Sequence, residues 1–253
     1  MMFSWVPASG QHFAAQYALG MAEWNLIASV AVWLAFAAWL SHSGWAIQRR
    51  YFIEASLTPL KRNGVVWSAV LVGALSLIAS QTRPAAPAVV ALTMMGTLLA
   101  YIDARTHRLP TPYVLALAFG VLCGAAVNVV FHPQSITVFI QAIVGGLIWT
   151  VPLWLGSLPK NGFGRGDVRL APILGAMLGL LGWHAALFGL FISVLSASLA
   201  ALWMVVSGQA GTRSRLAFGP WMIGSTLITY LLWGVVIPTS LNFFGFIFSS
   251  IPS

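Results

Sequence analysis

The chain has 253 residues, of which 59% are hydrophobic and only 6% are charged, and its mean hydropathy is +0.90. This composition excludes an ordinary soluble domain and indicates an integral membrane protein. The net charge of +8 does not indicate nucleic-acid binding, because the basic residues are scattered through loops rather than massed on one domain. The start of the sequence has no basic segment before its apolar residues, so we expect no cleavable signal peptide.

Long apolar runs predict membrane-spanning α-helices, since the strands of a barrel would be shorter and would alternate in polarity. The sequence therefore predicts an all-α, polytopic membrane bundle of about eight transmembrane helices. The predicted spans are residues 24–40, 65–80, 86–102, 113–131, 135–155, 168–181, 185–207 and 216–237. We expect residues 1–23 to precede the first span and to lie along the interface, and the tail 238–253 either to span the membrane or to lie on its surface.

The basic residues separate the loops into two sets. Eleven of the twelve Lys and Arg residues follow odd-numbered spans, and only Arg83 lies in the other set. The positive-inside rule then places the odd loops in the cytoplasm and both termini outside. The first of these loops, residues 41–64, contains WAIQRRYFIEASL, which predicts a short interfacial helix. We divide the chain into an N-terminal part, residues 1–84, and a core, residues 85–253.

The single cysteine, Cys123, lies inside an apolar run and predicts a small buried thiol. It excludes a disulfide within the chain and a cysteine zinc cluster. His107 lies near an acidic residue but has too few neighbours of ligand type to hold a metal. The sequence therefore predicts a site without metal or cofactor.

The acidic residues are few, and two of them mark a candidate site. Glu23, Glu54, Asp103 and Asp167 are the complete set, and the last two lie at the edges of the third and sixth predicted spans. Both edges face the cytoplasm in this topology. Two carboxyls held together do not both ionise easily, so one can activate water while the other, protonated, polarises a peptide carbonyl. Asp103 and Asp167 are thus predicted to catalyse acid–base hydrolysis.

Each aspartate also has an ordinary structural explanation. Asp167 precedes an apolar helix and suits an N-cap, while Asp103 could be a solvated loop acid beside Arg105 and Arg108. Glu54 is expected to pair with Arg50. Only the joint occurrence of the two aspartates on one face, in so acid-poor a chain, favours catalysis.

Motifs around the two aspartates resemble those of the type IV prepilin leader peptidases, membrane aspartic proteases of bacteria. The first reads D-A-R-T-H-R-L-P and ends at Pro110. The second reads G-R-G-D-V-R-L, with Arg169 where the family has lysine. A later Phe-Gly-Pro, formed by Phe218, Gly219 and Pro220, also looks like the family. The three motifs come in the family's order over about residues 85–236.

The resemblance implies that Asp103 and Asp167 are the catalytic pair, acting at the cytoplasmic face of the bacterial inner membrane. It implies a pilin-like precursor as substrate, cleaved after a short basic leader. Gly164 and Gly166 are expected to permit unusual backbone conformations and a close approach to Asp167. The flanking arginines are expected either to contact lipid headgroups and set orientation, or to tune the aspartate pair or bind an acidic residue of the substrate; they are Arg105, Arg108, Arg165 and Arg169.

Bifunctional members of the family carry a cysteine-rich zinc domain after the first span and also methylate the new N-terminus. Here that position is the cysteine-free loop 41–64, which predicts a peptidase without methyltransferase activity. Three other interpretations stay open. They are a presenilin-like or signal-peptide-peptidase-like protease, whose Pro-Ala-Leu motif we do not find, a small transporter, and a membrane scaffold.

Overall fold

The computed structural model describes residues 8–80, 83, 85–131, 135–158, 164–208 and 216–233, with side chains from residue 22 onward. Within these ranges the chain is helical, which confirms the predicted all-α bundle. The helices are α1 (Ala8–His42), α2 (Ile47–Glu54), α3 (Arg62–Ser80), α4 (Ala86–Ala91), α5 (Thr97–Thr106), α6 (Thr111–Phe131), α7 (Ser135–Ser157), α8 (Arg165–Gly179), α9 (Trp183–Val206) and α10 (Gly219–Leu232).

Six helical segments in the described residues are long and apolar enough to cross a membrane. They are Ala22–His42, Arg62–Ser80, Ala86–Thr106, Thr111–Val130, Ser135–Ser157 and Trp183–Val206. The predicted sixth and eighth spans correspond to α8 and α10, which have 15 and 14 residues. Helices of this length reach only about 22 Å, against about 30 Å of hydrocarbon. The count of eight spans is therefore not confirmed.

The N-terminal segment is helical from Ala8. From Ala8 the backbone continues as one helix of 35 residues into the first span. Residues 8–23 contain no proline and include five alanines, the residue that most favours helix. The expectation that residues 1–23 lie along the interface stays a prediction. Residues 1–7 and the tail 234–253 lie outside the described residues.

The helical segment from Ala86 to Thr106 lies at the centre of the bundle. It is 83% buried, whereas the other five candidate spans are 28–39% buried. It consists of α4, a π-helical turn at Leu92–Gly96 and α5, and α1, α3, α6 and α10 surround it. In the π-helical turn the Thr93 hydroxyl bonds to Ser76 Oγ of α3 over 2.8 Å. This central segment carries Asp103 near its C-terminal end.

Helices α7 and α8 are joined through their glycines. A Cβ added at Gly175 would lie 2.3 Å from the carbonyl oxygen of Gly145, and one added at Gly179 would lie 2.4 Å from that of Gln141. Only glycine allows two helix backbones to approach so closely in a membrane. The Trp149 indole of α7 also donates to the carbonyl of Ala186 in α9 over 2.8 Å. These contacts fix α8, whose first turn carries Asp167.

The loop between α1 and α3 contains the expected short helix. A 3₁₀ turn at Gly44–Ala46 leads into α2, and Phe52 and Gln48 are buried against the bundle. The Gln48 amide bonds to the carbonyl and the N–H of Leu60, at 2.9 and 3.2 Å. Thus α2 lies on the protein through one face rather than on the membrane alone.

Cys123 on α6 is half-buried, so the expectation of a buried thiol is wrong. Gly120 and Gly124 of α6 pack against α4. A Cβ added at Gly120 would contact Ala91, and one added at Gly124 would contact Ala88. Successive helical residues are about 100° apart, so Cys123 lies to one side of that packed face.

Candidate active site

Asp103 lies in the last turns of α5 and is only 5% exposed. Its Oδ2 accepts a hydrogen bond of 3.0 Å from the backbone N–H of Gly219. Gly219 is the first residue of α10, where backbone N–H groups lack partners within the helix and the helix dipole favours negative charge. The Asp103 carboxylate therefore occupies the anion-binding end of α10, and it is not a solvated loop acid.

Asp167 is the third residue of α8 and is 8% exposed. The N-cap position is occupied by Gly164, so the expectation of Asp167 as the N-cap residue is wrong. The Asp167 carboxylate instead accepts a hydrogen bond from the backbone N–H of Gly164. This is the reach-back contact that an acidic residue at the third helical position makes in a capping box. Helix α8 thus holds the carboxylate at its own N-terminus.

The two carboxylates influence one another. Asp167 precedes the apolar part of α8 and lies outside the six candidate spans. Its pKa is raised to about 7, mainly by burial and further by the charge of Asp103, while the Gly164 N–H bond opposes the change. The fold therefore brings two residues 64 positions apart, 103 and 167, into one electrostatic site. Near neutral pH the Asp167 carboxyl retains its proton in part of the molecules.

The glycines of the two motifs are required by close approach rather than by unusual backbone angles. An added Cβ would lie 2.7 Å from Asp103 Oδ2 at Gly219, 3.0 Å from Leu109 Cδ1 at Gly166, and 3.2 Å from Asp167 Oδ2 at Gly164. Gly164 has φ −66° and ψ 146°, which any residue adopts, and Gly166 is helical. The expected unusual conformations are therefore not found. Leu109 of the loop after α5 approaches Gly166, and the expected approach of a substrate strand or of the other aspartate's helix stays a prediction.

The remaining motif residues shape the ends of helices. Pro110 is buried and its carbonyl accepts from the N–H groups of Tyr113 and Val114, at 3.1 and 3.2 Å, so it begins α6. Phe218 is buried at the N-cap of α10, and Pro220 occupies its first turn, where proline is favoured.

The arginines near the aspartates contact other groups. Arg105 lies over the Tyr101 ring, 5.7 Å from its centroid, and Arg169 Nη1 bonds to Thr111 Oγ1 over 3.3 Å.

Arg108 bonds to Glu54, which also accepts from Arg50 Nε over 2.8 Å. The two ion pairs in the described residues both involve Glu54, so in this part of the chain neither aspartate is paired with an arginine. The expected Arg50–Glu54 pair is confirmed; the pairing of Glu54 with Arg108 was missed.

No group of three His, Cys, Asp or Glu side chains suited to a metal ion occurs among the residues that the structure describes. The metal-free and cofactor-free site stays a prediction. The carboxyls of Asp103 and Asp167 are both buried, and the chemistry they can perform is proton transfer.

Comparison with known proteins agrees with this site. Residues 89–206, which include both aspartates, match the model of the type IV leader peptidase family. This match covers just under half of the chain, so the chain is similar to that family over these residues. No solved structure gives a significant match to the chain.

Three curated relatives indicate how much of the chain is shared. The prepilin leader peptidase/N-methyltransferase of Dickeya chrysanthemi is 31% identical over 145 residues, covering 52% of this chain and 48% of that protein. Its counterpart in Burkholderia pseudomallei is 32% identical over 178 residues, covering 66% and 54%. Leader peptidase HopD of Salmonella typhimurium is 27% identical over 161 residues, covering 61% of this chain and 97% of that protein. The chain spans about half the length of the first two relatives.

Proposed function

We propose that this protein is a membrane aspartic endopeptidase that removes the short basic leader of pilin-like precursors, with Asp103 and Asp167 as its catalytic pair. The observation that carries the proposal is a pair of buried, electrostatically coupled carboxyls within the segment that matches the family. The names of the relatives support a prepilin leader as the substrate.

The two carboxyls differ in their surroundings, which supports different roles. Asp167, with a pKa of about 7, holds the shared proton and donates it to the oxygen of the scissile carbonyl. Asp103, whose Oδ2 is held by the Gly219 N–H, takes a proton from the attacking water. The tetrahedral gem-diol intermediate then collapses: Asp103 passes its proton to the leaving amine, the C–N bond breaks, and Asp167 takes a proton back from one hydroxyl, which leaves a carboxylic acid product and restores both aspartates. Water is consumed, and no metal or covalent intermediate takes part.

The decisive test compares Asp103→Asn and Asp167→Asn with the wild type in membranes, using cleavage of a pilin-like precursor as the measurement. Each substitution keeps the size of the side chain and removes the acid, so we expect both to abolish cleavage while the protein still inserts. Glu23→Gln is the matched control, because Glu23 is an exposed acid at the other end of its span from the α1–α3 loop, and it should cleave normally. Appreciable turnover by either Asp variant would refute the carboxyl pair.

We further propose that the site faces the cytoplasm, as the distribution of basic residues favours. In a Cys123→Ser background, Asn63→Cys, at the start of α3, reports on the side of the α1–α3 loop, and Trp183→Cys reports on the opposite side of the predicted topology. An impermeant thiol reagent added to intact cells should label the second position and not the first. The reverse pattern would contradict the proposed orientation.

A further inference from the structure

Glu54, the last residue of α2, connects two elements that are distant in sequence. One carboxylate oxygen accepts from Arg50 within α2, and the other accepts from Arg108, which lies between α5 and α6. Arg108 lies in the loop 107–110, which begins where α5 ends, about one helical turn after Asp103. Glu54 therefore bonds to the segment through which α5 leaves the site.

The same loop contacts the helix of the second aspartate. Leu109, next to Arg108, approaches Gly166 so closely that an added Cβ there would lie 3.0 Å from Leu109 Cδ1. Gly166 directly precedes Asp167. A continuous series of contacts thus leads from Glu54 through Arg108 and Leu109 to the backbone beside Asp167.

Helix α2 is held in place by contacts that do not depend on Glu54. Phe52 is buried and stacks on Tyr101 of α5, with ring centroids 6.3 Å apart. The Tyr113 hydroxyl of α6 donates to the Gly44 carbonyl over 2.7 Å, just before α2. Glu54 therefore projects from a fixed element, and removing its charge leaves α2 attached.

We propose that Glu54 is a positioning residue for the aspartate pair, holding the 107–110 loop through Arg108 so that Leu109 sets the place of Gly166 and Asp167. The proposal rests on the proposed peptidase function. Glu54 touches neither aspartate in the described contacts, so its effect is on their relative position and not on the chemistry itself.

The ion pairs of Glu54 are suited to positioning rather than to stability. The side chains of Glu54 and Arg108 are 38% and 51% exposed, and exposed pairs contribute little to the free energy of unfolding. Hydrogen bonding from Arg50, and then from Arg108, holds the pKa of Glu54 below its ordinary value, so the carboxylate is charged at neutral pH. A charged group with partners on two elements fixes the geometry between them.

The first experiment measures kcat and KM for Glu54→Gln beside Arg50→Gln as a matched control. Glu54→Gln loses the link between α2 and the loop, so kcat should fall about fivefold or more with little change in KM or thermal stability. Arg50→Gln removes only the contact within α2 and should behave like the wild type. Equal kcat values for wild type and Glu54→Gln would overturn the proposal.

A double-mutant cycle then tests the route through Arg108. If Glu54 acts through Arg108, Glu54→Gln should cost little in a protein that already carries Arg108→Gln. The double variant would then match Arg108→Gln alone. Independent, multiplicative losses would show that Glu54 acts by another route and would overturn the proposal.

A measurement without substrate separates this proposal from the peptidase function. Amide hydrogen exchange in residues 104–110 and 164–168 should be faster in Glu54→Gln than in wild type or Arg50→Gln. Unchanged exchange would refute the positioning role even if both Asp variants are inactive. Faster exchange together with active Asp103→Asn would support the structural link and refute the catalytic pair.

Discussion

Gly219 donates its backbone N–H to Oδ2 of Asp103 over 3.0 Å, across 116 positions of sequence. The bond joins the first residue of α10 to the end of the central helical segment. At the other end of α10, Arg83 Nη1 donates to the carbonyls of Tyr230 and Leu231, at 2.8 Å each. A carboxylate at its N-terminus and a guanidinium at its C-terminus both stabilise α10 through the helix dipole.

Gly219→Ala should reduce leader cleavage by about 10- to 100-fold, because catalysis is sensitive to small displacements of a reacting group. The added Cβ would lie 2.7 Å from Asp103 Oδ2, so the carboxylate or the start of α10 must move. Steady-state cleavage by the purified variant checks this, and the loss should appear in kcat.

Gly224→Ala, on the same helix, is the control for Gly219→Ala. A Cβ at Gly224 meets no atom within 4 Å, and alanine favours the helix by about 0.5–1 kcal/mol over glycine. We expect normal cleavage and equal or higher thermal stability. Similar losses in both variants would indicate a general effect on α10 and would count against a specific contact with Asp103.

The pKa of Asp167 predicts a change of stability with pH. Folding raises this pKa from its ordinary value of 3.8 to about 7. Between these values the folded protein keeps a proton that the unfolded chain has lost, so this contribution to stability falls as pH rises from about 4 to about 7. At full ionisation the penalty corresponds to about 4 kcal/mol.

Asp167→Asn removes this titration. Its unfolding temperature should approach that of the wild type at pH 4 and exceed it by several degrees at pH 8, since the amide carries no charge to bury. Thermal unfolding in detergent from pH 4 to pH 8 measures the difference in unfolding temperature between the variant and the wild type. Groups that titrate equally in both proteins do not contribute to this difference. A difference that stays constant with pH would show that Asp167 ionises normally.

The sequence was sufficient to predict what depends on local composition. Hydropathy placed four predicted spans, 24–40, 65–80, 113–131 and 135–155, within single helices of the described chain. The two aspartates were paired because alternating spans return to one face. The Phe-Gly-Pro motif pointed to Gly219, although only the structure shows that its N–H binds Asp103. The partner of a backbone N–H depends on tertiary packing and leaves no periodic pattern.

Other features were missed because they depend on contacts between distant segments. The sequence around Gly145 and Gly175 does not show that these two of the chain's 24 glycines pack against each other. Glu54 had a nearer partner in Arg50, which concealed its bond to Arg108, 54 positions away. The continuation of α1 back to Ala8 was missed because hydropathy detects the membrane-facing part of a helix and not its full length.

Gly175→Ala should destabilise the protein by about 1–3 kcal/mol, as overpacking commonly does. The added Cβ would lie 2.3 Å from the carbonyl oxygen of Gly145, a backbone atom that cannot rotate away. Because α8 carries Asp167, the shift should also reduce cleavage. Gly64→Ala, where a Cβ meets nothing within 4 Å, is the control for thermal unfolding and activity. An unchanged unfolding temperature in Gly175→Ala would contradict the close α7–α8 contact.

The protein should cleave its substrate without methylating the product. Relatives named peptidase/N-methyltransferase share only about half their length with this chain. In this chain the α1–α3 loop has no cysteine to bind zinc, and its α2 helix is occupied in contacts with α5 and the following loop. Mass spectrometry of the mature product, made by this enzyme alone with S-adenosylmethionine present, measures the outcome. We expect an unmodified N-terminal amine, and the mass of one added methyl group would refute the prediction. Asp167→Asn, run in parallel, shows whether any mature product arises from another peptidase in the preparation.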